Sequence, residues 1–77
     1  MKKVIAIENI GDVYNFVAEC AKLKCAYDVY AERGRISIPC NSLMGIISMN
    51  PSEPFDIIIP DTEETKNFVN YISKFEV

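Results

Sequence analysis

Three cysteines, Cys20, Cys25 and Cys40, are the residues of this sequence whose type alone points to chemistry. They form neither a C-x-x-C pair nor an even disulfide set, and the sequence holds no histidine to complete a zinc site. Cys40 precedes an expected helix start, where a thiol pKa is lowered. It is therefore a candidate redox residue. The alternative is that all three thiols are buried or incidental.

The apolar stretch 42–49, Ser-Leu-Met-Gly-Ile-Ile-Ser-Met, is the second feature with functional content. Its pattern predicts a helix of about two turns, which is too short to be stable without packing on a larger body. One sheet cannot cover every apolar residue of so short a helix. We therefore expect Leu43, Met44 and Ile47 to form an outward side that docks on a protein partner. Alternatively, one or two of them complete the core.

Composition and charge indicate one ordinary globular domain spanning residues 1–77. Of these residues, 49% are hydrophobic and 25% are charged, which is the balance of a folded soluble chain. The net charge of −3 and the scattered basic residues argue against a nucleic-acid partner. No apolar run approaches the roughly 20 residues that span a bilayer, and no signal-peptide core is recognisable. We expect a cytoplasmic protein without a membrane partner, a cofactor or a metal.

The hydrophobic pattern predicts the element order βαββαβα. This order indicates an α+β fold, an open-faced β-sandwich in which three helices cover one face of a four-stranded antiparallel sheet. The predicted strands are 3–7, 26–32, 35–38 and 55–59, and the predicted helices are 12–24, 42–49 and 61–75.

Polar residues mark the expected helix starts. Asn9 or Asp12 can cap the first helix, and Asn41 or Ser42 can cap the second. Asp61 begins an approximate capping box for the third helix. Each cap satisfies backbone N–H groups that have no partner inside the helix.

The predicted strands also assign side chains to the two faces of the sheet. Clean alternation over 35–38 places Ile36 and Ile38 toward the core. Asp28, Ser37 and Asp56 alternate with apolar neighbours and are expected on the solvent-facing side.

Two segments resemble the middle of the histidine-containing phosphocarrier protein (HPr) family, from the bacterial phosphoenolpyruvate-dependent sugar phosphotransferase system. They are Arg-Ile-Ser-Ile at 35–38 and Asn-Ser-Leu-Met-Gly-Ile-Ile-Ser-Met at 41–49. The predicted βαββαβα order also resembles the whole HPr fold, so the resemblance extends over nearly the entire chain.

The resemblance implies roles for the second helix. HPr proteins carry a serine at the head of this helix, which a dedicated kinase phosphorylates in many Gram-positive bacteria, and that serine falls on Ser42. The alternative is that Ser42 is only an N-cap. Asn41 stands where the family usually has lysine or another polar residue. The family's apolar patch on this helix docks on partner enzymes, and Leu43, Met44 and Ile47 match it.

The family's carrier motif, Gly-(Leu/Ile)-His-Ala-Arg-Pro-Ala, is not kept. Its histidine falls near Asn9, its arginine near Gly11 and its proline near Asp12. A phosphoramidate requires an imidazole nitrogen as nucleophile, and an asparagine amide does not replace it. These three residues therefore form a degenerate carrier site.

We accordingly expect a non-enzymatic, HPr-like regulatory or protein-binding module that presents the Ser42 helix. Its expected partners are proteins: phosphotransferase-system enzymes, an HPr-type kinase or a transcription regulator. Two alternatives stay open. One is a divergent phosphocarrier that uses Asp12 as a substitute acceptor, and the other is thiol chemistry at Cys40.

Overall fold

Four strands pair antiparallel in one sheet, in the order β1-β4-β2-β3. The computed structural model describes every residue from Met1 to Val77. The strands are β1 (Lys2–Ile5), β2 (Tyr30–Arg33), β3 (Ile36–Pro39) and β4 (Phe55–Ile58). The helices are α1 (Ile10–Ala21), α2 (Leu43–Ser48) and α3 (Thr65–Ile72), with short 3₁₀ helices at Ala26–Asp28 and Ser73–Phe75. The predicted α+β class and βαββαβα order are confirmed.

One face of the sheet packs on the helices and the other is open. Ile5 of β1 pairs with Phe55 of β4. The side chains of Ile5, Phe55 and Ile57 are all buried. Phe16 of α1 lies against this face, with its ring centroid 6.5 Å from Phe55 and 5.9 Å from Phe68 of α3. These contacts join the sheet, α1 and α3 in one core.

The open face carries the polar residues that strand alternation predicts there. Asp56 and Glu32 face each other across β4 and β2, and Glu32 faces Ser37 across β2 and β3. Ser37 and Asp56 therefore lie where the sequence places them. Asp28 does not, because it ends the 3₁₀ helix Ala26–Asp28 instead of lying on a strand.

The second strand is shorter than its apolar and aromatic pattern indicates. The Asp28 N–H donates to the Cys25 carbonyl at 2.8 Å, and the Ala26 N–H donates to the Leu23 carbonyl at 3.2 Å. These turn hydrogen bonds reverse the chain after α1, and they occupy groups that a strand ladder would need. Pairing in β2 consequently begins only at Tyr30.

Ile36 lies on the same face of β3 as Ile38, as strand alternation predicts, but the core does not cover it. Its side chain is 48% exposed, whereas Ile38 is half-buried and packs on the core. β3 is the edge strand of the sheet, and Gly45 of α2 lies against Ile38, whereas Ile36 is not part of the core.

The third helix begins later than the acidic residues at 61–64 indicate, and Asp61 does not cap it. The buried Thr65 hydroxyl organises this start instead. It accepts a hydrogen bond from the Thr62 N–H at 3.2 Å and donates to the Pro60 carbonyl at 2.8 Å. α3 therefore starts at Thr65. None of the helices has the length and apolar character needed to cross a membrane.

Candidate functional site

Ser42 is the N-cap of α2, as the sequence indicates. Its backbone is extended (φ −96°, ψ 100°), and its Oγ accepts a hydrogen bond from the Gly45 N–H at 3.4 Å. Asn41 takes no part in this cap. The Ser42 side chain is half-buried, so the hydroxyl is engaged with the helix while remaining partly open to solvent.

Gly45 allows α2 to approach β3 closely. A Cβ atom at this position would lie 2.5 Å from Ile38 Cγ2 and 3.1 Å from Ser42 Oγ. The Cγ2 methyl belongs to a β-branched side chain with few alternative rotamers, so it cannot move away easily. Glycine is therefore required for the packing that positions this helix.

The three predicted docking residues of α2 differ in exposure. Met44 is 77% exposed and has no place in the core. Leu43 and Ile47 are half-buried and pack partly against the core. The outward side of α2 thus consists of Met44 and the accessible parts of Leu43 and Ile47.

α1, which lies next to α2, carries two exposed apolar residues that the sequence interpretation missed. Ile10 is 54% exposed and Tyr14 is 51% exposed, one helical turn apart. α1 and α2 lie side by side, and Ile10 and Ile47 line the same cleft of about 240 Å³. We call Ile10, Tyr14, Met44 and Ile47 the α1–α2 surface. The sequence did contain a signal for the two α1 residues, because Ile10 and Tyr14 form an apolar pair at helical spacing that lies outside the core-facing stripe of α1.

The degenerate carrier site lies at the amino end of α1. The Asn9 side-chain oxygen accepts from the backbone N–H groups of Gly11 at 2.8 Å and Asp12 at 3.4 Å, so Asn9 rather than Asp12 is the cap. Asp12 lies in the first turn, where the helix dipole favours a carboxylate. A helix cap and its first turn account for all three residues.

The surroundings of Asp12 are poor in cations. A second cleft, of about 380 Å³, runs past Asp12 and is lined also by Glu8, Lys74 and Glu76. Lys74 is the only basic residue that lines it, and its Nζ lies 4.6 Å from the centre of the Tyr71 ring. No arginine lines the cleft, so an incoming phosphoryl group would meet carboxylates without the guanidinium partner of the carrier motif.

The expected lowering of the Cys40 pKa is wrong. Burial, together with a hydrogen bond to the Cys20 thiol, raises the pKa of Cys40 well above its ordinary value. Both side chains are fully buried in the core. The pKa of the more accessible Cys25 is raised as well, by burial and by a hydrogen bond to Glu64. Loss of solvation therefore outweighs the proximity of α2, and it opposes thiolate chemistry at Cys40.

Arg33 fixes the loop that follows α2, and no sequence pattern reveals this role. Its guanidinium donates to four backbone carbonyls: those of Met49, Asn50 (3.1 Å), Glu53 (2.7 Å) and Pro54 (3.2 Å). Met49 is the C-cap of α2, so Arg33 also satisfies a carbonyl at the helix end. The same loop forms one wall of the cleft between α1 and α2.

The fold thus brings together two groups of residues that lie far apart in the sequence. The amino end of α1, with Asn9, Gly11 and Asp12, lies beside the carboxyl-terminal part of α2, because Ile10 and Ile47 line one cleft together with the loop after α2. Cys40 is separate from both because it is buried. No family model, curated protein or solved structure matches this chain.

Proposed function

We propose that this protein is a non-catalytic, HPr-like regulatory or protein-binding module of the bacterial cytoplasm, related to the phosphoenolpyruvate-dependent sugar phosphotransferase system. It presents the α1–α2 surface to a protein partner. The observation that carries this proposal is the exposure of Met44 on α2 and Ile10 on α1, two neighbouring helices whose residues Ile10 and Ile47 line one cleft. Grouped exposed apolar side chains are typical of protein interaction sites.

The absence of histidine from the sequence supports recognition over phosphate transfer. The Asn9 oxygen is engaged by two backbone N–H groups, and the cleft beside Asp12 holds no arginine. Asp12 as a substitute acceptor has no observation in its favour, and burial argues against Cys40 as a redox residue. The module therefore acts by binding, with phosphotransferase-system enzymes, an HPr-type kinase or a transcription regulator as the candidate partner classes.

Charge reversal of exposed apolar residues tests the docking surface. Met44→Glu is compared with Tyr27→Glu, because the two side chains are 77% and 78% exposed but only Met44 lies on α2. We expect wild type and Tyr27→Glu to capture the same partner from a cell extract, and Met44→Glu to lose it. Capture of the same proteins by all three would remove α2 from the interaction surface.

Ser42 supplies the regulatory part of the proposal. A phosphate on its Oγ adds a charge of about −2 at the head of α2, next to the docking surface. With ATP and an HPr-type kinase, we expect label on wild type and none on Ser42→Ala. Equal labelling of both proteins would contradict Ser42 as the modified residue. No labelling of either protein would leave Ser42 with its capping role alone.

A further inference from the structure

On the basis of the proposed function, we infer that the segment docking on the α1–α2 surface is basic. One of its apolar side chains enters the cleft between Ile10 and Ile47, while its lysine or arginine side chains lie over Glu8 and Asp12. The partner class is therefore a protein segment that combines apolar and cationic residues.

The cleft has the size and lining of a side-chain pocket. Its volume of about 240 Å³ lies below the roughly 300–1,000 Å³ of small-molecule sites, which favours a single side chain over a cofactor. Its apolar lining comes from Ile7, Ile10, Val13 and Ile47, with Pro51 from the loop held by Arg33. Ile7 and Val13 are buried at its floor, and Ile10 is exposed at its rim.

The charge at the rim is acidic and unpaired. Glu8 lines both this cleft and the neighbouring one, and Asp12 lines the neighbouring one. Neither carboxylate forms an ion pair within the chain, and no lysine or arginine lines the apolar cleft.

Three basic side chains form other contacts within the chain, although Lys74 also lines the cleft beside Asp12. Lys3 pairs with Glu76 at 3.7 Å, and Lys74 lies over the rings of Tyr71 and Phe75. Arg33 is committed to backbone carbonyls. Three acidic side chains, those of Glu8, Asp12 and Glu76, line the neighbouring cleft with one basic side chain, Lys74, so the cleft presents an acidic balance to an incoming partner.

Apolar contacts alone would bind acidic and basic segments equally well, so the charge of the surface determines which of the two binds more tightly. An acidic segment over Glu8 and Asp12 would bring like charges together, whereas a basic segment is steered toward them and completes their ion pairs. The net charge of −3 also attracts a basic segment, and it does so at longer range than the two carboxylates.

Three matched peptide libraries test this preference. They share randomised apolar positions and differ only at fixed polar positions, which carry lysine, glutamine or glutamate. Each library is selected against the full immobilised chain. The best peptides are then titrated against wild type, against Glu8→Gln/Asp12→Asn and against the control Asp28→Asn/Asp61→Asn, and their contacts are mapped by NMR.

The control changes the net charge by the same amount at a distant place. Asp12 lies in the first turn of α1, whereas Asp28 follows the carboxyl end of the same helix. Asp61 follows β4, which runs antiparallel to β1 and so leaves the sheet at the opposite end from the link to Asn9. Thermal unfolding of both double variants checks that each is folded.

We expect lysine-library peptides to bind at least about 10-fold tighter than glutamate-library peptides at low salt, and to lose about 3- to 10-fold in Glu8→Gln/Asp12→Asn but not in the control. Glutamate peptides that bind equally well, or an equal loss in both variants, would overturn the charge preference and leave the docking surface standing. No binder from any library, or contacts mapped away from the cleft, would overturn the docking surface itself.

Discussion

At the scale of single residues, the side chains with the largest structural roles are not those that the sequence makes conspicuous. Cys40, the most reactive residue type in the chain, is buried in the core. Arg33 has the sequence context of a polar turn residue. In the structure its guanidinium donates hydrogen bonds to four backbone carbonyls at the end of α2 and in the loop that follows. The sequence predicts the Ser42 cap because cap and helix are adjacent. It cannot predict the bonds of Arg33, because its acceptors come close only when the sheet has formed.

Replacing Arg33 tests this anchor. Arg33→Lys keeps the positive charge but removes the planar guanidinium group that donates several hydrogen bonds at once. We therefore expect a loss of about 1–3 kcal/mol in the free energy of unfolding. Urea denaturation measures it. The matched control is Arg35→Lys, because Arg35 is exposed and its side chain makes no hydrogen bond.

A loss confined to Arg33→Lys would confirm the anchor, and equal stability of both variants would contradict it. The positions of the Asn50 and Ser52 amide signals in NMR spectra give an independent reading. We expect them to move in Arg33→Lys and to stay in place in Arg35→Lys, since only Arg33 bonds the loop.

At the scale of elements, α2 is positioned by contact with β3 more than by its own helix propensity. The Gly45 backbone lies close to Ile38, and Ser42 closes the first turn. The apolar pattern at 42–49 predicts the helix itself, and the observed bounds Leu43–Ser48 agree with it. Exposure along α2 was less predictable. Whether Leu43 and Ile47 face outward depends on how α1 lies beside them, which local sequence does not specify.

Gly45→Ala tests the close approach of α2 to β3. Alanine favours an isolated helix over glycine by about 1 kcal/mol, yet we expect the variant to be less stable than wild type by about 1–3 kcal/mol, because the new Cβ meets Ile38 Cγ2. Chemical denaturation gives the difference. A gain in stability would contradict the observed packing.

Ile38→Ala completes a double-mutant cycle for this contact. It removes the Cγ2 methyl that obstructs a Cβ at position 45. We expect Gly45→Ala to be tolerated better in the Ile38→Ala background than in wild type, by about 1 kcal/mol or more. Additive changes in the free energy of unfolding would mean that there is no steric contact between positions 38 and 45.

At the scale of the whole molecule, the βαββαβα architecture expected from the HPr resemblance is present in a chain that contains no histidine. The element order follows from apolar periodicity and turn residues, and the structure confirms it. The core buries Cys20 and Cys40, and the half-buried Tyr71 packs against the core with a hydroxyl that has no hydrogen-bond partner. Burial of ionisable groups makes the stability of the whole domain depend on pH.

Stability is expected to fall as the pH rises above about 9. The ordinary pKa of a cysteine thiol is about 8.5. Burial, together with a hydrogen bond to the Cys20 thiol, raises the pKa of Cys40 well above that value. Above pH 9 the unfolded chain loses this proton while the folded chain keeps it, so the free energy of unfolding decreases by about 1.4 kcal/mol per pH unit for this group. The pKa values of Tyr71 and Cys25 are also raised, chiefly by burial, and act in the same direction.

Denaturation in a reducing buffer between pH 8 and 10 measures this slope. Cys40→Ala removes the main contribution, so its stability should depend less steeply on pH than that of wild type even if its absolute stability is lower. Parallel slopes for the two proteins would show that Cys40 does not carry the effect.

The most direct test of the proposal that recognition has replaced phosphate transfer is incubation with labelled phosphoenolpyruvate and the general phosphotransferase enzyme. A histidine-containing HPr in the same reaction shows that the enzyme is active. Since this chain has no histidine and its Asn9 caps a helix, we predict label on HPr and none on this protein. Acid-labile label on this protein, mapped to Asp12 and lost in Asp12→Asn, would contradict it.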